Sequence, residues 1–246
     1  MDILKFSLGG KTAFFKKPEV NSYYLFTFGN IHRVALMGMF GAILGYKGYG
    51  DSKMNNKVIP EFYEKLKNIQ SSIIPKNKTG FINKKIQQFN NSVGYASQEQ
   101  GGNLIVKEQW LENPSWDIFV KLDSDTALEL ADAITNNKCV YVPYLGKNDH
   151  PADITNASIL KGCDLTDNYF MIDSLFLKNR VKYADPSDYE EEYLDVKLFK
   201  YEESLPMGLD ENTQMYLYDT FVNTNLPIDQ YYGDVYNANG KNIVFG

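Results

Sequence analysis

Hydrophobic and polar positions alternate cleanly at the start of the chain. Leu4, Phe6 and Leu8 fall on one side of residues 3–8 and Lys5 and Ser7 on the other, which predicts a half-buried strand ended by Gly9-Gly10. After a loop carrying Lys11, Lys16 and Lys17, Asn30 is a good N-cap for a helix from Ile31 to about Leu44, and Gly45 closes it. Gly38, Gly41 and Gly45 recur on one side of that helix. Each interior glycine costs about 1 kcal/mol relative to alanine, so this side is expected to approach a sheet or a ligand closely. Residues 46–58 read as a loop. Pro60 then opens a short helix whose Phe62, Leu66 and Ile69 share a face.

From Pro75 to Gly102 the composition turns polar, with Lys76, Lys78, Lys84 and Lys85 among scattered aromatics. This stretch is expected to form a hairpin or arm outside the core. Leu104–Trp110 reads as a strand. Trp116, Ile118, Val120 and Leu122 mark one face of the next, and Asp123, Ser124 or Asp125 caps a helix to about Thr135. Cys139–Leu145 reads as a further strand. The order is strand, helix, arm, strand, strand, helix, strand, which is the βαββαβ ferredoxin-like unit. The expected architecture is therefore α+β: a ferredoxin-like domain over residues 1–150 with an extended arm at 75–103, and a smaller β-rich region over 151–246. In that second region Tyr169–Leu177, Tyr193–Tyr201 and Met215–Val222 are the expected strands, with an acidic run from Asp185 to Asp195 between two of them.

Charge changes this picture. Residues 1–107 hold 15 basic and 6 acidic side chains, a net +9, whereas residues 108–246 hold 10 and 25, a net −15; the whole chain of 246 residues carries −6. An acidic total excludes a protein that coats nucleic acid over its entire surface. One basic face remains possible, because phosphate attraction is local and screened within about 8–10 Å. Two cysteines, Cys139 and Cys163, fit no metal spacing or disulfide framework. No charged leader precedes an apolar run and no stretch is long enough to span a bilayer. The expectation is a reduced, soluble, cytoplasmic protein without a membrane contact.

Phosphate-loop, nucleophile-elbow, HExxH and CxxC patterns are absent, and the histidines are His32 and His150. Neither a metal nor a cofactor is expected. His32 and Arg33 occupy the first helical turn, where backbone N–H groups and the helix dipole favour an anion and Arg33 can add a bidentate phosphate contact; the competing reading is a solvated arginine beside a packed histidine ring. Lysines 11, 16, 17, 47, 53, 57, 76, 78, 84 and 85 lie in loops or the arm beside Phe14, Phe15, Tyr46, Tyr49, Phe81, Phe89 and Tyr95. That mixture suits single-stranded RNA, through phosphate attraction and base stacking. The acidic half reads either as a solubilising surface or as a dock for a basic partner that also repels RNA.

The strand Ile3–Leu8, the segment Gly9-Gly10-Lys11 to Asn21, and the helix running from Arg33 to Gly45 resemble the N-terminal signature of CRISPR-associated protein family five. Tyr141-Val142-Pro143-Tyr144-Leu145-Gly146 resembles that family's motif after the second helix, and the type I-B branch is the most similar. The resemblance implies a RAMP-type ferredoxin-like domain with a thumb at 75–103 and a small β-rich C-terminal region. It implies a non-catalytic scaffold of the RNA-guided complex Cascade, capping the crRNA 5′ handle and touching the backbone and large subunits, with target DNA met only through the complex. The expected RNA contacts are Lys11, Lys16, Lys17, His32, Arg33, Tyr46, Lys47, Lys76, Lys78, Lys84, Lys85 and Lys107. The alternative is the metal-independent ribonuclease of the type I-C branch, which processes precursor crRNA. Tyr46 is similar in position to that branch's tyrosine, but the adjacent Lys-His pair is missing, since Glu108 follows Lys107.

Overall fold

The computed structural model describes residues 1–19, 22–50, 59–90, 92–95, 98–165, 170–188 and 197–246. Its main sheet is antiparallel. Strand β1 (Asp2–Gly9) lies between β6 (Ser115–Lys121) and β7 (Asp153–Asp164), and β3 (Ser71–Pro75) pairs with the outer side of β6. Two crossovers interleave: α1 (Arg33–Leu44) connects β1 towards β3, and α3 (Asp125–Thr135) connects β6 to β7. The order β7-β1-β6-β3 is that of a ferredoxin-like βαββαβ domain. The C-terminal strands β13 (Tyr236–Ala238) and β14 (Lys241–Ile243) extend it beyond β7.

The alternation in β1 decides which side is which. Leu4, Phe6 and Leu8 are fully buried with α1, α3 and Trp116 in the large core, whereas Ile3 faces a smaller cluster with Ile74, Phe119 and Ile243. Lys5 and Ser7 converge instead on Asp117 of the neighbouring strand, at 3.3 Å and 2.7 Å. Gly41 lets α2 (Glu61–Leu66) come close, since a Cβ there would sit 2.5 Å from that of Phe62. At Gly38 and Gly41 the glycine-bearing side of α1 thus meets a helix. Gly45 ends α1 at φ +81°, the left-handed conformation glycine adopts at no steric cost.

Four expectations need correction. The helix begins at Arg33, and His32, not Asn30, caps it: its Nδ1 accepts the Ala35 N–H, while Asn30 is buried and hydrogen-bonds Trp116 and Gly80. The second strand of the domain is Ser71–Pro75, hidden behind the short helix in the sequence. The expected strand at 104–110 is instead the return strand of the arm, β5 (Ile105–Glu112), paired antiparallel with β4 (Lys84–Asn90). The arm therefore runs past residue 103.

The fourth strand is β7, beyond the division expected at residue 150; residues 139–144 form no ladder. Proline at 143 lacks an N–H, and Val140 and Tyr141 donate theirs to Ile43 and Ala42 at the end of α1. Strand β7 escaped notice because it carries a bulge. Lys5 and Ser7 pair with Ser158 and Thr155, so one extra residue sits on β7, and Asn156 has φ +55°. A bulge reverses the parity of the inward positions, here Ile154 and Ala157.

The remaining chain is β-rich, as expected. Strands β10 (Lys200–Leu209), β11 (Tyr216–Thr224) and β8 (Phe176–Leu177) form one sheet, and β9 (Val181–Tyr183) and β12 (Ile228–Tyr231) pair separately. Part of the expected strands at 169 and 193–196, and most of the acidic run 185–195, lie outside the described residues. No helix among the described residues is long and apolar enough to cross a membrane.

Candidate nucleic-acid interface

The arm is a three-stranded sheet in which β5 is flanked by β4 on one side and by β2 (Thr12–Ala13) on the other. Leu25 continues the β2 side: its N–H donates to the Lys107 carbonyl and its own carbonyl accepts the Gln109 N–H, both at 2.9 Å. Side chains of paired strands alternate between faces. Lys84, Ile86 and Gln88 therefore share one face with Leu111, Gln109 and Lys107. On that face the Lys107 ammonium lies 5.2 Å from the Tyr24 ring, and Tyr24 packs against Phe26. Ile86 and Ile105 are about half exposed, and Tyr23, which precedes Tyr24 in the chain, is 92% exposed.

At the base of this face Lys17 and Lys84 flank Glu203, which comes from β10 of the C-terminal region. Lys17 Nζ is 3.4 Å from the carboxylate, which also accepts the Gly29 N–H at 2.9 Å and the Tyr201 hydroxyl at 2.8 Å. Burial lowers the Lys84 pKa, and the like charge of Lys17 adds to the effect against the opposing pull of Glu203. Burial and then the Glu203 charge push the Tyr201 phenol well above its ordinary range. Lys17 is thus paired with this carboxylate while Lys84 only feels its charge, leaving positive charge at the base of the arm.

The opposite face carries Lys85, Phe89, Glu108 and Trp110. Lys85 lies 5.9 Å from the Trp110 ring and 3.9 Å from Glu112. Glu108 is buried, accepting from Trp110 Nε1 at 2.8 Å and from Lys147 Nζ at 3.0 and 3.2 Å. Lys147 also stands over Phe14 and Phe89, and His150 packs edge-on against Trp110 with Nδ1 2.7 Å from the Thr12 hydroxyl. Burial, then Lys147, lowers the His150 pKa. Sequence reading missed Lys147, Tyr23 and Tyr24. The tyrosine pair next to lysine-rich loops was the available signal; the pairing of Lys147 with Glu108 spans 39 residues and left none.

The other expected contacts separate. Lys11, Lys16 and Lys78 are exposed, and no ion pair holds them among the described residues. Lys76 lies 3.8 Å from Asp117, beside Lys5. Tyr46 and Lys47 sit at the far end of α1, where Lys65 stands 4.3 Å above the Tyr46 ring and the Lys47 N–H donates to Glu61. Burial, followed by the negative charge of Glu129, raises the Tyr46 pKa. Lys53 and Lys57 lie outside the described residues.

His32 and Arg33 do not form an anion site. His32 is buried among Phe15, Phe28 and Tyr216, its pKa lowered by burial to about 3, so it caps the helix as the neutral imidazole. Arg33 donates to the carbonyls of Lys67, Ile69, Met207 and Gly246 at 2.6–3.1 Å. Its charge ties α1 to the end of α2 and to β10. Phe14 and Phe15 are also buried and are unavailable for base stacking.

Among the described residues no group of three or more His, Cys, Asp or Glu is placed to hold a metal ion. Fold and arm together define an α+β, ferredoxin-like chain with a lysine-bearing arm sheet. No protein-family model matches the chain, and no curated protein does. Among solved structures it is similar to a CRISPR protein from Archaeoglobus fulgidus (TM-score 0.54, 11% identity, 100% of this chain and 99% of that one). It is also similar to a chain of the type III-B Cmr-beta complex bound to cognate target RNA and AMPPnP (TM-score 0.50, 12% identity, 93% and 86%). At these identities the likeness concerns the fold.

Proposed function

We propose that the chain is an RNA-binding scaffold subunit of a CRISPR surveillance complex, of the type I Cascade class, that holds the 5′ handle of the crRNA without cutting it. The observation that carries this reading is the arm face on which Lys17, Lys84 and Lys107 accompany Tyr24, open beside exposed Tyr23. Cations along one face attract a phosphate backbone, and exposed tyrosines offer stacking platforms to unpaired bases. The shared fold with CRISPR proteins, one from a complex bound to target RNA, supports the same assignment. In the complex, sequence would be read by guide pairing and not by this chain.

Absence of catalysis is part of the proposal. Metal-independent RNA cleavage needs a base for the 2′-hydroxyl and an acid for the leaving 5′-oxygen. Both histidines are buried, and the Tyr46 phenol, raised in pKa by burial and Glu129, is a poor base near neutral pH. Fluorescence polarisation of handle RNA against a scrambled RNA of equal length tests the binding; equal affinities would refute handle recognition. Incubation with precursor repeat RNA in EDTA tests the rest. Intact RNA is expected, and a specific cut abolished by Tyr46→Phe would replace the scaffold with a nuclease.

A further inference from the structure

A cavity of about 110 Å³ lies where the ferredoxin-like sheet meets the C-terminal strands, walled by β3, the start of α1, β8, β10, β11 and β12. Main-chain bonds fix its frame. The Leu175 N–H donates to the Ile73 carbonyl at 2.8 Å, and Ser71 and Gly246 exchange two bonds at 3.3 and 3.1 Å. Most of the wall is apolar, with Phe176, Leu205 and Val244 buried in it. Two observations break that pattern. Both arginines of the chain, Arg33 and Arg180, line the cavity, and no Asp, Glu or Lys does. Ser72 lines it as well; the residue is 2% exposed, and its hydroxyl has no partner in the protein. The two arginines differ in what they already hold. Arg33 serves four carbonyl oxygens. Arg180 is exposed and marks the side open to water. The Tyr231 phenol, raised in pKa by burial, is drawn back by Arg180 beside it. The flanking Lys178 and Lys182 are paired with Glu202 and Asp229, whereas no ion pair holds Arg180 among the described residues.

We infer that this cavity binds a small amphiphilic anion, with an apolar body of about four to six carbons and one carboxylate or phosphate head. Size limits the body, since a cavity of about 150 Å³ admits a benzene ring and this one is smaller. Charge selects the head. A guanidinium fork matches the oxygens of a carboxylate or phosphate, and a lining with two arginines and no acid repels an ammonium. The head meets Arg180, the body lies against Phe176 and Leu205, and the ligand supplies the acceptor that the Ser72 hydroxyl lacks. None of the arm lysines takes part, so the inference does not rest on the RNA reading.

Isothermal titration calorimetry of the full chain with hexanoate, hexyl phosphate, 1-hexanol, hexylammonium and inorganic phosphate tests it. Saturable one-to-one binding of hexanoate or hexyl phosphate is expected, and the tighter of the two identifies the head. 1-Hexanol should bind about tenfold more weakly or worse, and hexylammonium and inorganic phosphate should show no binding. Arg180→Gln should weaken the preferred anion about tenfold and leave 1-hexanol unchanged. Ser72→Ala should weaken it about threefold. Arg180 lies at the surface and Ser72→Ala removes a single atom; unchanged circular-dichroism spectra verify folding, and the Arg180 variant decides alone if the other does not fold. The inference fails if neither anion saturates, if 1-hexanol or hexylammonium binds as tightly as the anions, or if either folded variant keeps the parent's affinity. It also fails if Arg180→Gln loses binding to a 15-nucleotide oligouridine, which would assign this arginine to RNA.

Discussion

The start of α1 and the base of the arm hold cations of similar appearance in the sequence, and the fold gives them opposite uses. Arg33 spends its guanidinium on four carbonyl oxygens. Lys17 is paired with one carboxylate whose charge also acts on Lys84, and Lys107 lies on a tyrosine ring. A half-buried guanidinium with four acceptors is a structural tie, because placing a phosphate there would orphan the carbonyls. A lysine whose ammonium remains partly in water costs little to redirect to a phosphate. What separates a fold cation from a ligand cation is the number of acceptors already in place, which net charge does not report.

The largest effect should come from breaking the tie. Arg33→Met leaves four carbonyls without their donor and should cost about 3–5 kcal/mol of stability in urea unfolding, the range for removing one member of a buried charged network. RNA affinity of the folded fraction should not change. A Lys84→Gln variant should show the reverse pattern, and if both lost RNA equally the distinction drawn between the two regions would collapse.

Next in size is the helix cap. His32 has a folded-state pKa near 3 against about 6.5 when unfolded. Below about pH 6.5 the unfolded chain binds a proton the folded one refuses, so stability is present above that value and is lost as the pH falls towards 3. From pH 7 to pH 5 the loss should be about 2 kcal/mol. His150, also lowered, adds in the same direction. His32→Asn retains a capping acceptor without the titration and should flatten most of this slope in denaturation curves taken across the range.

Legibility followed locality. Strand β1 and helices α1 and α3 were readable within a residue or two, because their faces alternate or recur over contiguous stretches. Strand β3 was not, since Ser71-Ser72-Ile73-Ile74-Pro75 is buried on both sides and carries no period. Nor was β7, whose bulge breaks the alternation that identifies a strand. At the candidate site, the lysines of the arm were legible from composition. Glu203 and Lys147 were not, because their partners Lys17 and Glu108 are far away in sequence. The split of +9 against −15 was read as a face towards RNA and a face away from it, yet part of it is internal: Lys5, Lys17, Lys67 and Lys85 of the basic half are paired with Asp117, Glu203, Glu211 and Glu112 of the acidic one.

On the arm, Lys84→Gln and Lys107→Gln should each weaken RNA binding by about tenfold at low salt and reduce the slope of log K against log salt by about one, one phosphate contact apiece. Unfolding should move by no more than about 0.5 kcal/mol for Lys107, and little more for the partly buried Lys84, since glutamine keeps most of the side-chain stem. A loss confined to one base sequence, with the slope intact, would instead mean that these lysines read bases.

The smallest effect should come from Glu203, and it tests the comparison most directly. Glu203→Gln retains an oxygen to accept the Gly29 N–H but removes the charge that holds Lys17 and offsets the Lys17–Lys84 repulsion. If internal pairing is what withholds a cation from RNA, affinity should rise by about twofold to threefold and the salt slope should steepen by at most one. Stability should fall by about 1 kcal/mol, for a charge-assisted hydrogen bond made neutral. A drop in affinity would mean that Glu203 orients Lys17 and Lys84 for binding, and that at the arm base, as at Arg33, it is the acceptor that defines what the cation can do.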